Sequence, residues 1–124
     1  MRIKIYELVI PGRPKPKQRP RVTKNSTYNP SKKDEDRILY LWKDKYGNEE
    51  IEGDLAMVYD FYLPDRRHGD LKNLIALVED ALGGGNNINK PFNDKQVKYI
   101  EAVMHFEFDG DPRTEVEVRD KYER

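Results

Sequence analysis

The chain has 124 residues, 23 Lys plus Arg against 23 Asp plus Glu, two His and no Cys. That length holds one domain, and the missing cysteine excludes a disulfide framework, a thiolate zinc site and a cysteine nucleophile. With no net charge, any attraction to nucleic acid has to come from how the charges are segregated rather than from the overall field. The first ten residues carry charges inside an apolar run and lack a small-residue cleavage pattern. They read as neither signal peptide nor membrane span, so a cytoplasmic protein without membrane contact is expected.

Ile3 to Ile10 is rich in β-branched residues and closed by Pro11-Gly12, the pattern of a strand ending at a turn. Its alternation slips near Glu7, where a bulge is one solution, and either Ile5 or Tyr6 could face inward. Residues 12–33 follow as a basic loop. Its prolines forbid helix, and Arg13, Lys15, Lys17, Arg19, Arg21 and Lys24 are uninterrupted by any acid. Such a segment can track a phosphate backbone while Tyr28 stacks on a base; the bland alternative is a solvated charged loop.

Ser31 with Asp34 makes a capping-box-like helix start, Ile38, Leu39, Trp42 and Tyr46 form one apolar stripe, and Gly47 ends the helix. Trp42 on that stripe is a core anchor rather than a ligand stacker. Leu55 to Leu63 alternates with the period of a strand whose apolar face carries Leu55, Met57, Tyr59, Phe61 and Leu63. Pro64 stops it, and a polar connector with Arg66, Arg67 and His68 delivers the chain to Asp70. A loop histidine is more often an exposed polar group than a catalytic base.

The second helix opens at Asp70. At about 100° per residue, Leu71, Leu74, Ile75, Val78, Ala81 and Leu82 share one side, while Asp70, Asn73 and Asp80 share another with Lys72 and Glu79 on a line beside it. Asp70 is an N-cap candidate, and a cap would leave one carboxylate oxygen free. Gly83-Gly84-Gly85-Asn86-Asn87 ends the helix by positive-φ freedom and opens a flexible loop, residues 83–93. Asn93-Asp94 then precedes an alternating strand from Val97 to Phe108. After a turn at Asp109 to Pro112, Thr114, Val116 and Val118 mark a last strand. The order β-α-β-α-β-β predicts a compact single α+β domain over residues 1–124, with a small mixed sheet and two main helices. If the two ends of the segment from Pro64 to Val97 meet, Asp70 and Asp94 can share a divalent cation.

These features in this order resemble the RusA family of Holliday junction resolvases. The resemblance rests on Gln18-Arg19-Pro20-Arg21-Val22-Thr23 after the first strand, Asp70-Leu71-Lys72-Asn73, Asp80-Ala81-Leu82, and Asn93-Asp94-Lys95-Gln96-Val97. It implies a homodimeric, Mg²⁺-dependent endonuclease, with Mn²⁺ as the alternative ion, that resolves four-way DNA junctions in recombination and repair. Asp70 and Asp94 carry over directly. The family pattern Asp-x-Asp-Asn-x-x-Lys is broken by Lys72 at the second acid and Ala76 at the lysine, and Asn93 replaces the first of two aspartates.

An ammonium among metal ligands is costly. Two unit charges 4 Å apart repel by about 4 kcal/mol at an effective dielectric near 20, so Lys72 has to point away from any cation. The expected metal ligands are therefore Asp70, Asp94 and Asp80, with Glu79 as the other candidate for the missing carboxylate. Lys72 is expected to take over neutralisation of the scissile phosphate. Arg13, Lys15, Lys17, Arg19, Arg21, Lys24, Arg66 and Arg67 are the expected DNA contacts. Two alternatives stay open: a catalytically inactive binder of branched DNA, and an unrelated protein-interaction domain whose basic loop is incidental.

Overall fold

The computed structural model describes residues 4–84, 89–106 and 108–120. Ile3 of the first predicted strand, residues 85–88 of the predicted flexible loop and residue 107 of the third long strand lie outside them. The elements are β1 (Ile5–Pro11), β2 (Arg21–Val22), β3 (Thr27–Tyr28), α1 (Lys32–Tyr46), β4 (Leu55–Tyr62), α2 (Leu71–Leu82), a 3₁₀ turn (Asp94–Gln96), β5 (Val97–His105) and β6 (Arg113–Arg119). This is the α+β domain with two helices and a mixed sheet that the patterning predicts. Among the described residues no helix is long and apolar enough to cross a membrane.

The four-stranded sheet has the order β1-β6-β4-β5. The last strand of the chain inserts between the first and β4, antiparallel to both, whereas β5 runs parallel to β4 at the edge. That parallel pairing needs a crossover connection, and α2 supplies it by running back across the sheet. Both helices pack on one face. Leu8, Ile10, Met57, Tyr59, Phe61, Val116 and Val118 point at them, and Trp42, 1% exposed, is the anchor of α1. Trp42 packs against Tyr6 and Tyr46 with ring centroids 5.5 and 4.9 Å away.

Tyr6 faces inward and the register of β1 on β6 is continuous, so no bulge forms at Glu7. The free edge of β1 is instead covered by the end of α1. The Glu7 N–H donates to the Tyr46 hydroxyl at 2.7 Å, and Lys45 Nζ donates to the Glu7 carbonyl at 2.7 Å. α1 begins after Ser31 as expected, but its hydroxyl makes no capping bond. It is buried and accepts the Gln18 N–H at 2.9 Å, tying the basic loop to the helix.

α2 buries a wider face than its stripe implies, because Leu77 packs as well as Leu74, Val78, Ala81 and Leu82. The helix is covered by the sheet on one side and α1 on another. Gly83 also serves a different purpose from the one expected. Its φ is −113°, and a Cβ there would sit 2.7 Å from the Phe92 ring, so glycine is required for close packing rather than for positive φ.

Candidate active site

The connector into α2 is built by short local bonds. Asp65 accepts the Arg67 N–H at 2.8 Å, an Asx-type turn, and the Arg13 guanidinium at 2.8 Å. The Arg13 hydrogen bond, then the Arg67 N–H, hold the Asp65 carboxyl below the usual carboxylate range. Arg66 lies over the Phe106 ring at 4.0 Å. Gly69 then meets the basic loop so closely that a Cβ would be 2.5 Å from Pro16. The Lys17 N–H donates to the Asn73 carbonyl at 2.8 Å, so the loop is docked on the first turns of α2.

Asp70 is the N-cap residue of α2 with extended backbone, and its carbonyl accepts from Asn73 and Leu74. Its carboxylate makes no capping bond and is exposed, as are Lys72 and Asn73. The first turn thus presents an acid, a base and an amide to solvent together.

The other end of the helix is arranged differently. From its backbone contact at Asn73, Lys17 reaches along α2 to place Nζ 2.6 Å from Glu35 Oε2 and 3.3 Å from Asp80 Oδ2. Asn29 donates to the same Glu35 oxygen at 2.8 Å. Burial pulls the Lys17 ammonium down, but the two carboxylates outweigh it and its pKa is raised. Lys90 Nζ caps the helix by donating to the carbonyls of Asp80 and Ala81 at 2.9 and 2.8 Å.

Glu79 is one residue and about 100° away from Asp80, so it looks to a different side of the helix. It is half-buried, and its Oε1 is enclosed without a hydrogen-bond partner among the described residues. Burial, then the charges of Asp80 and Asp94, raise its pKa. Asp94 is exposed at the start of the 3₁₀ turn. A capping box fixes that turn: Asn93 Oδ1 accepts the Lys95 N–H at 2.9 Å, and Gln96 Oε1 accepts the Asn93 N–H at 2.7 Å. Gln96 Nε2 in turn donates to the carbonyls of Ile51 and Gly53, both at 2.9 Å.

The expected trio of Asp70, Asp80 and Asp94 is not one cage. Among the described residues no three His, Asp or Glu side chains group closely enough to hold a metal ion. The physical reason is height. Asp70 and Asp80 share a helical face, but ten residues at 1.5 Å each separate them by about 15 Å. Asp80 is neutralised by Lys17, while Asp94 makes itself felt at Glu79. The basic loop also divides in two. Arg13, Lys15 and Lys17 are paired with Asp65, Asp34 and Glu35, whereas Arg19, Arg21 and Lys24 form no ion pair among the described residues. Arg21 and Lys24 of the free half are carried on a small hairpin, Arg21 opposite Tyr28 and Val22 opposite Thr27, where only extended loop was expected.

A model of the endodeoxyribonuclease RusA family matches residues 11–119. The chain belongs to the RusA family. The match runs from the end of β1 to the end of β6, so it takes in the basic loop, both ends of α2 and the Asp94 turn. No curated protein matches the chain significantly. Within the family pattern, the departure at Asn93 now has a structural role, since Asn93 caps the turn that presents Asp94. Sequence reasoning ranked Glu79 below Asp80. The signal that distinguishes them is the lysine at position 17, fifteen residues before the start of α1, whose target only the folded chain reveals.

Proposed function

We propose that this RusA-family endodeoxyribonuclease is a Mg²⁺-dependent resolvase of four-way DNA junctions that acts as a homodimer in recombination and repair. The observation that carries the proposal is the docking of the basic loop on α2. It brings Lys17 onto the first turns of α2, and the same loop continues into Arg19, Arg21 and Lys24, which form no ion pair among the described residues. Binding of the phosphate backbone through such cations releases counterions and falls steeply with salt.

The donor set suits a hard cation. Mg²⁺ is commonly held by one or two carboxylates, with water and phosphate completing its shell, and the unpartnered Oε1 of Glu79 near Asp94 is a vacant acceptor of that kind. Glu79 and Asp94 would hold the ion; Asp80, kept by Lys17, would not. When bound, Mg²⁺ neutralises charge on the phosphate and polarises the attacking water. Lys72, exposed and without an ion pair among the described residues, neutralises the scissile phosphate from the first turn of α2, and Asp70 beside it supplies the remaining carboxylate. Because about 14 Å of helix separates Asp70 from Glu79 within one chain, Asp70 of one subunit serves the Glu79 and Asp94 station of the other.

Single-turnover cleavage of a synthetic four-way junction tests this. Asp70→Asn and Asp94→Asn chains are each expected to bind the junction without cutting it. Mixed, the two inactive chains recover cutting, because one site of the heterodimer then holds both native acids. If the mixture stays inactive, sharing between subunits is wrong. If the native chain binds but never cuts with Mg²⁺ or Mn²⁺, the protein is an inactive junction binder.

A further inference from the structure

A cavity of about 210 Å³ lies where β1 runs into the basic loop, between α1 and α2. Its floor is apolar, built from Ile10, Ile38, Leu74, Leu77 and Val78. Thr114 also lines it, 4% exposed, and its hydroxyl has no hydrogen-bond partner among the described residues. The rim carries three cations, Arg13, Lys15 and Arg37. Drug-sized ligands occupy cavities of roughly 300 Å³ upward, so this one suits something smaller.

We propose that the cavity receives one unstacked nucleobase of the bound DNA, with the phosphate of that nucleotide held at the cationic rim. The inference rests on the DNA-binding part of the proposed function and adds a base-holding site to it. A flat heteroaromatic ring matches an apolar slot with a single polar group at its back, since the ring faces bury against Ile38, Leu74 and Leu77 while its edge pairs with the Thr114 hydroxyl. The rim supplies the matching charge. Arg13 is held by Asp65 and Lys15 by Asp34, both in exposed pairs, and exchanging such a carboxylate for a phosphate costs little. Among the described residues Arg37 donates only to the Pro11 carbonyl, at 3.1 Å, and forms no ion pair. Leu74 lies one turn beyond Asp70, which places the cavity at the same end of α2 as the exposed acid. Bases at a branch point are the ones most easily unstacked.

The test compares two four-way junctions by fluorescence anisotropy without divalent ions: one intact, the other with abasic residues at the four positions flanking the branch point. The native chain is expected to bind the abasic junction about tenfold more weakly. Val78→Phe, which fills the cavity, should bind both junctions equally, at the level of native chain on the abasic one. Thr114→Val removes only the hydroxyl and should reduce the preference several-fold while keeping the fold. Equal affinity of the native chain for both junctions overturns the base site and leaves junction binding standing. An undiminished preference in a folded Val78→Phe chain, or in Thr114→Val should Val78→Phe not fold, overturns it as well. If neither junction binds, the DNA-binding reading and the base site fall together.

Discussion

The two ends of α2 carry the same kinds of residue and use them in opposite ways. At the N-terminal end, Asp70, Lys72 and Asn73 stand exposed with the basic loop pressed against the backbone beneath them. At the C-terminal end, Asp80 is neutralised by Lys17 and the helix carbonyls by Lys90, leaving Glu79 as the acid with an oxygen unpartnered among the described residues. A carboxylate that already has its ammonium is part of the scaffold, whereas one enclosed without a partner is costly to ionise. Residue type and helical face do not separate these cases; the neighbour does.

The largest effects should appear in cutting. Asp94→Asn is expected to slow single-turnover cleavage by about a hundredfold or more, equivalent to roughly 3 kcal/mol of barrier, while Asp80→Asn stays within about fivefold of native. Similar losses in both would erase the distinction between scaffold and site acids.

Stability should show the reverse order. Lys17→Met leaves Glu35 and Asp80 without their shared cation, and for a partly buried cluster we expect a loss of about 2 kcal/mol, seen as a melting temperature lower by roughly 8 °C. Lys15→Met, which breaks the exposed pair with Asp34, should cost under about 0.5 kcal/mol. Equal melting temperatures for the two variants would mean that the Lys17 contacts are no more than surface decoration.

The division within the basic loop predicts a smaller difference, read as salt dependence. Arg19→Ala and Arg21→Ala should each lower the slope of log affinity against log salt by about 0.9, as expected for one lost phosphate contact. Lys17→Met should leave that slope unchanged.

The smallest effect concerns Glu79. Because burial and neighbouring acids raise its folded pKa, ionising it works against the fold, and that penalty grows as pH rises through the ordinary carboxylate range toward the folded value. Without metal, Glu79→Gln should therefore melt a few degrees higher than native at neutral pH, a gain below about 1 kcal/mol given its partial exposure. The gap should close at low pH, where Glu79 is protonated in both states. Adding Mg²⁺ should stabilise the native chain more than the variant. A variant that melts lower than native at neutral pH would remove the case for a cation seat.

Much of this protein could be read from its residues. Local patterning located both helices and the long strands, since alternation in β4 and the stripe around Trp42 depend only on which neighbours repeat at two and at three to four residues. The basic loop was equally visible, because proline and charge act through composition. The carboxylates were identified as types but not as partners: the rise of about 15 Å between Asp70 and Asp80 follows from their spacing alone, but that Lys17 reaches Asp80 does not.

What the sequence determined by itself was therefore the two helices, the long strands and the RusA-type order of acids and bases along them. Tertiary structure alone decided that β6 enters the middle of the sheet, that Gly83 is needed to clear the Phe92 ring, and that Lys17 pairs with Glu35 and Asp80. Each of these joins residues distant along the chain. Side-chain periodicity is a property of a segment, but pairing of charges and strands is settled only when segments compete for the same space and the same partner.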